Sequence, residues 1–147
     1  MSRSGYSDDC NGAELNLWRG AVKSAIKGKR GQAFLLETLA ALDTMPEKRL
    51  ITNSLHEAAS GEFCTLGVVI AARGIDPAPL QDTGRYDIAN ALGISPALAA
   101  EIMFKNDDEC SWNSRTTPER RWIRMREWVK SHIFTNEKSF NVNEVKL

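Results

Sequence analysis

Cysteine is scarce in this chain: three in 147 residues, at positions 10, 64 and 110, with no CxxC spacing among them. That pattern excludes a disulfide framework and a zinc site of the usual ligand spacing, and it predicts three free thiols. Histidine is scarcer still, with only His56 and His132. They stand far apart, and no motif supplies a nucleophile with its base. No apolar run approaches the roughly 20 residues of a membrane span. Net charge of one sign is absent as well: 19 basic residues balance 19 acidic ones. A general nucleic-acid or membrane-surface binder would be basic, so this balance argues against both. Repeats and low-complexity tracts are also missing. The first residues, MSRSGYSDDC, are polar and hold no signal-peptide core, which predicts a cytoplasmic protein.

What is present is helical periodicity. The length fits one domain able to bury roughly 68–70% of its unfolded surface. The expected fold is mostly α: a single compact helical domain of about six helices over 11–133, with a flexible lead-in at 1–10 and a tail at 134–147.

The clearest element is TTPERRWIRMREWVKSHI, Thr116–Ile133. Thr117 before Pro118 fits an N-cap with proline at the first helical position, and Thr116 with Glu119 fits a capping box. Trp122, Met125, Val129 and Ile133 form an apolar stripe, with Trp122 expected to be fully buried. Arg120 and Arg124 lie on the far side; Arg121 neighbours Trp128 at an angle that suits a cation–π stack. One reading makes the aromatics core and the arginines a solvated face. The sharper reading gathers Arg115, Arg120, Arg121, Arg124 and Trp128, with Trp112 in the preceding loop, into a partner-binding surface, because tryptophan and arginine are enriched at binding hot spots.

Earlier in the chain, a helix from Asn11 to about Lys27 leads into GKRG, Gly28–Gly31, a basic turn. With Lys27, Lys29 and Arg30 it is the alternative site for nucleic acid or phosphate, although the glycine spacing is not that of a P-loop. A second helix, about Gly31–Asp43, carries Phe34, Leu35, Leu36, Leu39, Ala40 and Leu42 almost around its circumference and reads as central. Residues 50–64 suit a short β-hairpin, Leu50–Leu55 against Glu62–Cys64, and compete with a helix from Pro46 to Ala58. Leu66–Arg73 is a short buried helix closed by Gly74.

Asp87–Met103, DIANALGISPALAAEIM, has helix-turn-helix spacing: Ala89 for close packing, Gly93 for a left-handed turn, Ser95-Pro96 to start the second helix. A reading helix beginning there would offer Ser95 and Lys105 to DNA but no Arg, Asn or Gln at its N-terminal end. Asn106–Asn113 is an acidic loop that fails every EF-hand register. Neither a cofactor, a metal nor a catalytic residue is assigned.

The segments WRGAVKSAIKGKRGQAFL (18–35), MPEKRLI (45–51), LGVVIAARGID (66–76), the LGIS turn, AAEIMFKNDDE (99–109) and TPERRWIRMREWV (117–129) resemble a family of small phage and prophage proteins of no established activity. The resemblance spans most of 2–133 and carries no functional residue with it. It implies a phage-encoded accessory protein made in a bacterial cytoplasm. The expected function is therefore non-catalytic: binding a host or defence-system protein, as an inhibitor of antiviral defence. The partner is a protein of the host or of a defence complex, with a homodimer as a further form. A helix-turn-helix DNA regulator using Asp87–Met103 is the alternative.

Overall fold

The computed structural model describes residues 3, 4, 13–107 and 116–134, without the side chains of 13–18. Within them run six α-helices: α1 (Ala13–Lys27), α2 (Lys29–Thr44), α3 (Thr65–Ala72), α4 (Arg85–Leu92), α5 (Pro96–Asn106) and α6 (Pro118–Ser131). A two-stranded antiparallel hairpin, β1 (His56–Glu57) and β2 (Glu62–Phe63), precedes α3. No helix among the described residues is long and apolar enough to cross a membrane. Asn11 as a cap, the Trp18 side chain, Cys10, Cys110, the loop after Asp107 and the tail beyond Phe134 lie outside the described residues.

The centre of the molecule is α5. Nine of its eleven residues are buried, and α1, α3, α4 and α6 pack around it. Its sequence, PALAAEIMFKN, permits this: alanines at 97, 99 and 100 let neighbours approach, and Leu98, Ile102 and Met103 fill the space between them. Expected as the central helix, α2 instead packs on α1, α3 and α6 from one side. Leu36 is 43% exposed, and Ala33 and Ala40 are exposed as well. The apolar circumference of α2 was misleading because alanine carries little preference for either environment, while Phe34, Leu35 and Leu42 alone decide which face turns inward.

Start and stop signals behave as their chemistry dictates. Thr117, not Thr116, caps α6, accepting the Arg120 amide at 3.1 Å. Ser95 caps α5 through the Leu98 amide at 3.2 Å. Gly93 closes α4 at φ +73°, and the Ile94 amide reaches back to the Ala89 carbonyl at 3.0 Å. Gly74 does the same for α3.

The hairpin is shifted from its expected position. Its first strand is His56–Glu57 rather than Leu50–Leu55, in register His56 to Phe63 and Glu57 to Glu62. The 50–55 segment is neither strand nor helix: Asn53 stands at φ +67°, Leu50 and Leu55 point into the core, and the Leu50 amide bonds the Pro118 carbonyl at 3.1 Å. Two anchored leucines with a left-handed residue between them cannot hold a period-two ladder. Gln81 covers the outer edge of β1. Its amide accepts from the His56 N–H at 3.3 Å and donates to the His56 carbonyl at 3.0 Å, as a paired strand would.

Two glycines mark close backbone approaches. A β-carbon on Gly31 would lie 1.9 Å from the Ala25 carbonyl oxygen, and one on Gly67 would lie 2.0 Å from that of Leu55. Gly20, inside α1, meets nothing within 4 Å. Urea unfolding should therefore separate three variants. Gly31→Ala and Gly67→Ala should each cost about 3 kcal/mol, the upper range for overpacking because the clash is with backbone. Gly20→Ala should add about 0.5–1 kcal/mol from helix propensity.

Candidate functional site

Within the candidate partner-binding set, Arg121 is not part of an exposed surface on α6. Arg121 is only 5% exposed; its guanidinium donates to the Leu50 carbonyl at 3.1 Å and the Thr116 carbonyl at 3.4 Å. It occupies the core stripe with Met125 and Val129, while Trp122 is half-buried beside them, its Nε1–H on the Leu42 carbonyl at 3.2 Å. The stripe is rotated because a bent loop at 50 leaves a carbonyl that needs a donor inside. Arg124 is half-buried and donates to the Lys105 carbonyl at 2.8 Å, closing the C-terminal end of α5. Trp128 is half-buried against the His132 ring, centroids 4.6 Å apart. Of the described members of that set, Arg120 alone is exposed. Arg115 and Trp112 lie outside the described residues.

The two helices joined at Gly93 form as expected, and the second of them is largely buried. A reading helix must offer a free face to the groove, and nine of the eleven residues of α5 are buried. Gly93 and Ser95 build a packing corner. One part of the alternative site does assemble. Lys29 and Arg30, from the start of α2, meet Ser95, from the start of α5, around an open concavity of about 280 Å³ that Gly28, Gly31 and Leu98 also line. Lys27 is exposed beside it; Lys105 sits at the far end of α5, half-buried, its ammonium over the Phe104 ring.

Within GKRGQ the structural duties are unequal. Gly28 starts α2 and Gly31 makes the close approach described above. Gln32 donates to the Ile26 carbonyl at 2.7 Å and the His132 carbonyl at 3.0 Å, tying α1 to the end of α6. Lys29 and Arg30 are exposed and join no ion pair among the described residues. They head an exposed row on α2, Lys29, Ala33, Leu36 and Ala40, spaced at three and four residues along one side of the helix. Sequence periodicity missed this row, because it assigned Leu36 and Ala40 to the core.

A second cluster gathers Arg3, Cys64 and Asp107 in a buried junction. Arg3 and Ser4 lie within the lead-in expected to fray, yet Ser4 is fully buried. Arg3 forms a two-point ion pair with Asp107, at 2.6 and 2.8 Å, and its Nη1 lies 3.5 Å from the Cys64 sulfur. Thr52 Oγ1, the Asn53 amide and Asn106 Nδ2 also donate to Asp107 Oδ1, at 3.2, 3.0 and 2.9 Å. Cys64 is 1% exposed and its sulfur caps α3, accepting from the Gly67 amide at 3.4 Å. The adjoining void is about 100 Å³, room for about three waters. Burial raises the Asp107 pKa; the Arg3 ion pair, with the Asn53 and Asn106 donors, outweighs it and holds the carboxyl below its ordinary value.

Ser131 and His132 are adjacent, with Oγ 3.0 Å from Nδ1. Both face the Trp128 carbonyl, Oγ at 2.8 Å and Nδ1 at 2.7 Å. A carbonyl only accepts, so each directs its proton there and the serine is not activated by the ring.

A scan of protein-family models and searches of curated proteins and of solved structures found no match to this chain.

Asp107→Asn should lower stability at pH 7 by about 2–3 kcal/mol, less than for a fully enclosed pair because Arg3 is partly exposed. A depressed carboxyl stabilises the fold above its unfolded value of about 3.9 and loses that contribution as pH falls through the folded value. The gap between wild type and Asp107→Asn in urea midpoints should therefore be constant above pH 5 and close toward pH 2.

Proposed function

We propose that the protein acts without catalysis, by docking the outer face of α2 against an acidic amphipathic helix of a partner protein. The resemblance to phage and prophage proteins supports a partner from the host or a defence complex, with inhibition of antiviral defence as the proposed outcome. One observation carries the reading: Lys29 and Arg30, in no ion pair among the described residues, stand at the head of an exposed small-and-apolar row, Ala33, Leu36 and Ala40. Alanines let a second helix approach closely, Leu36 supplies an apolar knob, and the two cations select for carboxylates at one end. Nucleic acid gives no reason for the apolar row, and the zero net charge removes the long-range attraction such a ligand needs. Charge at the rim would act mainly on orientation and on-rate, with the apolar row setting residence time.

The test is parallel affinity capture from bacterial lysate with four proteins: wild type, Lys29→Glu/Arg30→Glu, Leu36→Arg, and Arg120→Glu. Wild type and Arg120→Glu should retain the same stoichiometric acidic partner. The two α2 variants should lose it by more than tenfold. Retention by the α2 variants, or the absence of any stoichiometric partner, defeats the reading. Retardation of DNA at low salt that Lys29→Glu/Arg30→Glu abolishes would replace it with nucleic-acid binding.

A further inference from the structure

A cavity of about 440 Å³ opens on the side of α1 that faces away from the α2 corner. Arg19, Val22, Lys23 and Ile26 of α1, Glu101 of α5, and Ser131, His132 and Phe134 at the end of α6 line it. We propose that it is a binding site for a small amphiphilic anion: a flat apolar body carrying one acidic head. The volume falls in the range of small-molecule sites.

Its wall is apolar where it is deep and cationic where it is open. Val22 and Ile26, 5% and 4% exposed, form the floor. Arg19 and Lys23 stand one turn apart, both exposed and in no ion pair among the described residues. Glu101, the one carboxylate among the described lining residues, is buried, so two exposed cations at the mouth face one acid within.

The rim is held in place before any ligand arrives. The Phe134 amide donates to Gln32 Oε1 at 2.7 Å, and its ring is half exposed. The His132 ring is fixed by Nδ1 on the Trp128 carbonyl and by its tilted contact with the Trp128 ring, while Nε2 has no partner among the described residues. An apolar body can lie between Ile26 and Phe134 while an anionic head meets Arg19 and Lys23. Preorganised walls of this kind lower the ordering cost of binding. The inference is independent of the α2 docking surface, with which it shares no residue.

The probes are 1-anilinonaphthalene-8-sulfonate and its neutral counterpart N-phenyl-1-naphthylamine, titrated by fluorescence into the full chain. The sulfonate should bind one saturable site with blue-shifted emission, and the neutral probe at least tenfold more weakly. Arg19→Glu/Lys23→Glu and Ser131→Trp should each weaken the sulfonate at least tenfold, while Lys29→Glu/Arg30→Glu should leave it unchanged. Amide shifts of Val22, Ile26, His132 and Phe134 in the wild-type chain should move on titration, a readout free of any folding defect in the variants. Absence of saturable binding, equal affinity for the neutral probe, shifts elsewhere, or equal loss in the α2 variant would each overturn the proposal.

Discussion

The fold depends on one buried amide. Asn106, fully enclosed at the end of α5, accepts the Thr65 amide and hydroxyl at 3.0 and 2.8 Å and donates to the Ile51 carbonyl and to Asp107 Oδ1, both at 2.9 Å. It thereby satisfies the first turn of α3, the loop at 51 and the last turn of α5 with one side chain. Leaving any of these groups unpaired in the interior would cost on the order of 1–3 kcal/mol. Asp107 extends the same junction to Arg3, so a residue far away in sequence closes the end of the central helix. The polar groups here must all be paired at once, which ties α3, the loop at 51 and α5 into one arrangement.

The same constraint explains where the positive charge goes. Helix C-termini leave carbonyls without intrahelical partners. In this molecule long cationic side chains reach back to them: Arg124 to α5, Arg73 to the Leu92 carbonyl of α4 at 3.0 Å, and Lys48 to the Asp43 carbonyl of α2 at 2.7 Å. Arg73 also grips Glu37 through two bonds of 2.7 Å, and Arg126 holds Asp43. Cations so engaged are poor material for recognition. Those at the α1–α2 corner, like Arg19 and Lys23 of α1, close no helix end and hold no carboxylate among the described residues.

What the sequence made legible was local. Thr117-Pro118, Gly93 with Ser95-Pro96, and Gly74 are backbone instructions, and each works within a few residues of itself. Orientation was not legible, because it depends on groups distant in the chain. Nothing near Arg121 announces that the Leu50 carbonyl will need a donor, so its charge read as surface. Nothing in α2 says that α5 will take the centre, so Leu36 read as core. The Lys29, Arg30 and Ser95 concavity was visible as three residues but not as one place. The α1–α5–α6 cavity left no sequence trace, since its walls come from three separate helices.

Catalysis needs a titratable group that is both perturbed and reachable. Among the described residues Glu37 and Asp43 combine the two, displaced downward and partly exposed, yet each is held by an arginine, Arg73 and Arg126. The Asp107 carboxyl is displaced from its ordinary value, but its side chain is 2% exposed and its oxygens are already bonded to Arg3, Thr52, Asn53 and Asn106. Cys64 lies beside a guanidinium and at a helix start, a setting that elsewhere activates thiols, yet it is closed off and serves as a cap. Ser131 is reachable and stands beside an imidazole, yet its proton is directed to a backbone carbonyl. Binding demands less: a rigid scaffold and an exposed surface whose groups have no internal duty. The α2 row is held from beneath by Phe34, Leu35 and Leu42 and at its start by the Gln32 bonds to α1 and α6. Its outward residues can therefore meet a partner without any rearrangement of the core, which is the condition under which a small surface can still bind tightly.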